Sequence, residues 1–230
     1  MLFMTKPVPE YTTKIYDTCP WIIEHIDAVF DDVLCNLDPE NSFVYGGVIR
    51  DTLANLPLMG DIDIVVEAEA FDKTINTFRY SSKWMFRGIT DGAKYAKQFK
   101  SKTSSGNITK IATFYDKAGI EMQIIAPTQC ERSIVDTIPC SRTVWDIVRL
   151  VDIRCSGVIL TLDGDIYEAV DGAIGDCKKH VLEINTIVKD SIDNNHLHSR
   201  VEKFVKRGWL NNIDLTNYPI IESKESISIF

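Results

Sequence analysis

Two carboxylates one residue apart, Asp61 and Asp63, sit in the run Asp61-Ile62-Asp63-Ile64-Val65-Val66-Glu67, where acidic and apolar residues alternate among β-branched side chains. Such a run forms a strand with both aspartates on one face. Paired there they can share or bridge a hard divalent cation such as Mg²⁺, with phosphate as the remaining ligand. A strand with one solvated face produces the same pattern, so the pair needs company. Fourteen residues before Asp61, Gly46-Gly47 falls between a short apolar run, Ser42-Phe43-Val44-Tyr45, and a helical stretch, Val48 to Leu56, closed by Pro57. Exposed backbone N–H groups at such a strand-to-helix turn favour an anion. Arg50, in the first turn of that helix, has the fork for a phosphate, or for its neighbour Asp51. A third acid, Glu121, lies on another β-rich run, Ile120-Glu121-Met122-Gln123-Ile124-Ile125, suited to pairing beside the first. Three acids next to a phosphate-binding turn describe two-metal phosphoryl transfer.

The elements that must position these groups follow from periodicity. Apolar residues three and four apart from Pro20 to Leu37 predict an amphipathic helix, and Ala70 to Tyr80 a second. Lys83 to Ile89 reads as a strand. Ile108 to Tyr115 and Ile120 to Ala126 read as a hairpin about Asp116-Lys117-Ala118-Gly119. Beyond Pro127 the expectations are a short helix at Gln129 to Ile134, a strand at Arg142 to Ile147, a hairpin about Leu162 to Asp165, and a helix at Ala173 to His180. A last helix starts at Ser199 and stops at Gly208.

The segment Gly46-Gly47-Val48-Ile49-Arg50-Asp51, nine residues, then Asp61-Ile62-Asp63 resembles the GGxxRD…DxD signature of the DNA polymerase beta nucleotidyltransferase superfamily. It is most similar to the head domain of class II tRNA nucleotidyltransferases (CCA-adding enzymes) and bacterial poly(A) polymerases. The resemblance implies an α/β (α+β) fold: a small mixed twisted sheet flanked by helices, with a catalytic core over residues 1–140 and a C-terminal strand and helix extension over 141–230. It also implies a reaction, transfer of a nucleoside monophosphate from an NTP, ATP or CTP, to a hydroxyl acceptor with release of pyrophosphate. Carried over by the motif, Gly46, Gly47 and Arg50 hold the triphosphate, and Asp61, Asp63 and Glu121 are the catalytic metal ligands. Arg200, Lys203 and Arg207, on nearly one helical face, resemble the family's basic helix, and a solvated face would look the same. The sequence departs from the pattern where Asn55 replaces the usual glycine between RD and DxD, and where the base-selecting EDxxR motif is not legible. The length also leaves no room for the helical neck, body and tail with which CCA-adding enzymes grip tRNA.

Composition narrows the partners. The chain has 230 residues, 25 Lys and Arg against 33 Asp and Glu, a net charge of −8, and 45% apolar residues. That is a folded protein with a substantial core, with no apolar run long enough to span a membrane. An acidic protein does not present a broad basic surface to nucleic acid. The exception is Lys94 to Lys110, which holds Lys94, Lys97, Lys100, Lys102 and Lys110 interleaved with Tyr95 and Phe99. That segment suits an RNA 3′ end held through phosphate contacts and stacking, or is a plain solvated loop. A protein side chain or small molecule is the alternative acceptor, and a nucleotide-binding pseudoenzyme the alternative class. Six cysteines no closer than ten residues, with no leader at the N-terminus, predict reduced thiols in the cytoplasm. His196 and His198 lack the neighbours a zinc site needs and read as capping or surface residues.

Overall fold

A computed structural model describes residues 10, 12–16, 20–30, 33–58, 60–91, 108–127 and 144–220. The strands are β1 (Thr13–Tyr16), β2 (Ser42–Tyr45), β3 (Ile62–Val66), β4 (Met85–Asp91), β5 (Ile108–Tyr115), β6 (Glu121–Pro127), β7 (Val158–Thr161), β8 (Ile166–Glu168), β9 (Val181–Leu182) and β10 (Leu210–Asn211). The helices are α1 (Pro20–Phe30), α2 (Gly47–Leu53), α3 (Phe71–Arg79), α4 (Val144–Arg149), α5 (Ala173–Lys179) and α6 (Asn194–Val205). Eight strands form one mixed sheet in the order β1-β8-β7-β2-β3-β6-β5-β4, and β9 and β10 form a separate parallel pair.

The sheet centre explains the site. β3 runs antiparallel to β2 and parallel to β6, with Asp63 level with Gln123 and Ile62 level with Met122. Ile62, Ile64, Val65 and Val66 are buried, as a central strand covered on both faces requires. The hairpin of β5 and β6 turns at Asp116 to Gly119, where Gly119 takes φ +86. β7 and β8 turn about Gly164 and add to the other side of β2, so residues 158–168 extend the sheet that carries β3.

Three elements depart most from the sequence expectation. α1 is described over Pro20–Phe30, and Leu34–Asn36 form a short 3₁₀ turn where the helix was expected to run on to Leu37, the Asp27 carboxylate accepting the Leu34 N–H at 2.6 Å. Of the run expected as a strand at Arg142 to Ile147, the described part, from Val144 on, is not a strand. It forms α4, because Val144, Trp145, Ile147 and Val148, all buried, fall at helical spacing against the sheet. Trp145 packs between Phe43 and Tyr167, with ring centroids 5.4 and 5.3 Å away. The last helix starts at Asn194, not Ser199, because Asp193 is its N-cap and accepts the His196 N–H at 2.8 Å. The helix expected at Gln129 to Ile134 and the lysine-rich segment before Ile108 lie outside the described residues.

Candidate active site

The chain leaves β2 at Tyr45 and enters α2 through Gly46, whose φ +69 and ψ −122 are closed to residues with a Cβ. The Gly46 carbonyl accepts the first helical bond from Arg50 N–H at 3.0 Å, and a Cβ on Gly46 would stand 3.9 Å from an Asp63 oxygen. Gly46→Ala should therefore cost about 1–3 kcal/mol through backbone strain, not through a clash. Urea denaturation of the purified variant measures it.

One cavity of about 300 Å³ joins the predicted groups: Gly46, Gly47, Arg50, Asp61 and Asp63 all line it. Glu121 does not. Asp61 is exposed and Asp63 half-buried, its accessible part facing the cavity. Burial raises the Asp63 pKa, and the charge of Asp61 adds to it, while Arg200 opposes; the result is about 8. Glu121 is committed locally: its carboxylate accepts the Tyr115 hydroxyl at 2.7 Å and the Gln123 amide at 2.5 Å. Donating that bond, Tyr115 is harder to ionise.

Hard oxygen donors, crowded so that one cannot easily ionise, are what a divalent cation relieves, and the Asp61–Asp63 pair fits Mg²⁺ in that respect. Among the described residues, no three acidic, imidazole or thiol side chains are gathered to hold a metal as they stand. The sign of the resulting pH effect follows from Asp63. Between about pH 4 and 8 its carboxyl is ionised in the unfolded chain and protonated in the folded one, so folding takes up a proton and stability falls as pH rises. In EDTA the melting temperature should fall across that window, the slope should flatten in Asp63→Asn, and Mg²⁺ at pH 8 should restore part of the loss.

Arg50 is held rather than loose. Its Nε donates to Asp51 at 2.9 Å, its Nη1 to Ser156 at 3.3 Å, and its guanidinium lies 4.3 Å from the Phe204 ring centre. Asp51, also buried, accepts a second guanidinium, Arg207, at 2.6 Å. The basic residues of the last helix thus divide. Arg200 lines the cavity and is paired with Asp152, the exposed Lys203 lines it at the rim, and Arg207, past the helix end, braces Asp51. The solvated-face reading fails for Arg200, which is paired with Asp152 and reaches Ser156, and for Arg207, which reaches Asp51 on α2. Asn55, where the motif has glycine, holds φ +53, a left-handed turn that asparagine tolerates.

Sequence reasoning missed part of the wall. Asp152, Ser156, Asp193 and His196 line the same cavity. Burial, and then the charge of Arg200, lower the His196 pKa, which keeps the imidazole neutral near pH 7. Its position one turn before Arg200 was the available signal.

Together the sheet order and this site define a mixed α/β fold similar to the nucleotidyltransferase head of CCA-adding enzymes. A Thermotoga maritima CCA-adding enzyme complexed with tRNA superposes with a TM-score of 0.59 at 16% identity, over 90% of this chain and 45% of that one. A CCA-adding enzyme in complex with CTP gives 0.57 at 16% identity, over 89% and 44%. The Bacillus stearothermophilus CCA-adding enzyme in complex with CTP gives 0.51 at 14%, over 81% and 41%. The chain therefore spans less than half the length of these structures. No family model and no curated protein matches the sequence. Among the described residues no helix is long and apolar enough to cross a membrane.

Proposed function

We propose that this chain is a nucleotidyltransferase that moves a nucleoside monophosphate from ATP or CTP to the 3′ hydroxyl of an RNA, a tRNA in the first instance, releasing pyrophosphate. The observation that carries the reading is the single cavity joining the Gly46-Gly47 turn, Arg50, Asp61 and Asp63 on this fold. The likeness to enzymes solved with CTP and with tRNA supports the choice of substrates.

The acceptor oxygen forms a new bond to the α-phosphorus, the bond to the bridging oxygen breaks, pyrophosphate leaves with that electron pair, and the hydroxyl proton is lost to water. The residues act on this step by placement and charge. Backbone N–H groups at the start of α2, from Gly47 on, would meet the triphosphate, the Gly46 N–H itself being donated to the Val158 carbonyl at 3.2 Å, and Arg200 and Lys203 offer positive charge on the same cavity. Arg50, pinned by Asp51 and Ser156, presents its guanidinium in a fixed orientation, which removes the entropy cost of ordering it. Asp61 and Asp63 would hold Mg²⁺, with Glu121 as the third carboxylate once it releases Tyr115 or Gln123. The ion would supply charge neutralisation at the phosphates and a more acidic acceptor hydroxyl.

Incubation with Mg²⁺, each α-³²P-labelled NTP in turn, and total RNA with cell extract tests the reading. Label in RNA from ATP or CTP, dependent on Mg²⁺, is the expected result. Label in protein or in a small molecule moves the acceptor to that class, and no label from any NTP overturns the reading.

A further inference from the structure

Both oxygens of the Glu121 carboxylate are taken. Oε2 accepts the Tyr115 hydroxyl at 2.7 Å, and Oε1 accepts the Gln123 side-chain amide at 2.5 Å. The hairpin builds this arrangement locally. Tyr115 is level with Glu121 across β5 and β6, and Gln123 follows Glu121 by two residues on the same face of its strand. The turn beneath is fixed as well: Asp116 N–H donates to the Ile120 carbonyl at 3.0 Å, and the Asp116 carboxylate accepts the Ile120 N–H at 2.7 Å.

The neighbouring strand carries the other two acids. Asp63 is level with Gln123, and the same parallel register continued one residue back sets Asp61 level with Glu121. Adjacent strands lie about 4.8 Å apart, so a Glu121 side chain turned toward β3 reaches an ion held by Asp61. It is not turned that way. Glu121 lines a groove beside Asp61, whereas Gln123, the residue that holds it, lines the cavity of Asp61 and Asp63. A hydrogen bond to a carboxylate near a metal site either orients a working ligand or keeps it back. Two bonds that use both oxygens and leave the carboxylate off the cavity keep it back, since ligation at about 2.1 Å requires at least one to be given up.

Resting on the function proposed above, we propose that Tyr115 and Gln123 are positioning residues that withhold Glu121 from the metal site. The free protein then holds a divalent ion through Asp61 and Asp63 alone, and Glu121 joins when a further cation arrives with the triphosphate. At that point the carboxylate exchanges two neutral donors for the cation, and the site is completed last, by the substrate itself.

The probe is Mn²⁺, titrated without nucleotide into the full chain and followed by electron paramagnetic resonance of the free ion. Tyr115→Phe keeps the ring and removes only the hydroxyl; Gln123→Ala removes the amide. Each should tighten Mn²⁺ binding about tenfold, the weight of one hydrogen bond to a charged acceptor. Glu121→Gln should change Mn²⁺ binding less than about twofold in the wild-type background, yet abolish the whole gain when combined with Tyr115→Phe. That dependence on background is what a merely structural role for Tyr115 would not produce. Weaker or unchanged Mn²⁺ binding in both Tyr115→Phe and Gln123→Ala, or a loss in Glu121→Gln alone as large as in Asp61→Asn, overturns the withholding role and leaves the proposed function standing. Mn²⁺ binding that survives Asp61→Ala with Asp63→Ala overturns the metal site, and with it both readings.

Discussion

Asp61→Ala combined with Asp63→Ala is expected to lower nucleotidyl transfer by about a thousandfold or more while the protein stays folded. Losing a preorganised charge partner at a phosphoryl-transfer site costs roughly two to three orders of magnitude per group. Here both carboxylates on the cavity wall go at once. Neither carries the fold: Asp61 is exposed, and Asp63 is crowded enough that its pKa sits near 8. At pH 8 the double variant should melt no lower than wild type, since it loses a charge that destabilises the folded state. Transfer assayed with labelled NTP, beside a thermal melt, checks both halves. A nucleotide-binding pseudoenzyme would instead keep wild-type NTP affinity in the double variant.

The second large effect belongs to a residue away from the chemistry. Asp51→Ala should destabilise the protein by about 3–5 kcal/mol, because Asp51 is the buried partner of two guanidiniums. Without it Arg50 remains almost wholly buried beside Phe204 and Trp209 with a charge that nothing of opposite sign touches in return. Arg207 loses the contact that ties the end of α6 to α2. For a chain of this length that loss lowers the melting temperature by roughly 6–20 °C. Chemical denaturation gives the free energy directly, and a loss below about 1 kcal/mol would show that Asp51 does not brace these elements. Asp51→Asn, which keeps one acceptor oxygen, should fall between wild type and alanine.

The two effects separate chemistry from support, and the sequence shows them unequally. The alternation around Asp61 and Asp63 needs only β-strand geometry to put both acids on one face, and Gly46 needs only its missing Cβ to make the turn. These are local facts, so the spacing from Gly46 to Asp63 was enough to place them at one site. Glu121 was legible as a strand residue beside Asp61, but its bonds to Tyr115 and Gln123, and its position on the groove rather than the main cavity, come from side chains packing in space. Arg50 was legible as a cation near the turn and not as a buried hub, since Ser156, Phe204 and Arg207 all come from more than 100 residues downstream.

The same division holds for the elements. Strands and helices with clean periodicity, β3, α3 and the two hairpins, follow from local rules. At Val144 to Arg149 β-branched residues favour a strand locally, and burial of Trp145 against Phe43 and Tyr167 overrides that preference by roughly the margin that propensity allows. The sequence alone marked the residues proposed for phosphoryl transfer, because that choice depends on residue type and on spacing along one turn and one strand. Tertiary structure decided which cations face the cavity, which brace it, and that Asp61 is shared between neighbouring spaces, because those properties arise only when α1, α6 and the β5–β6 hairpin close around the central strand.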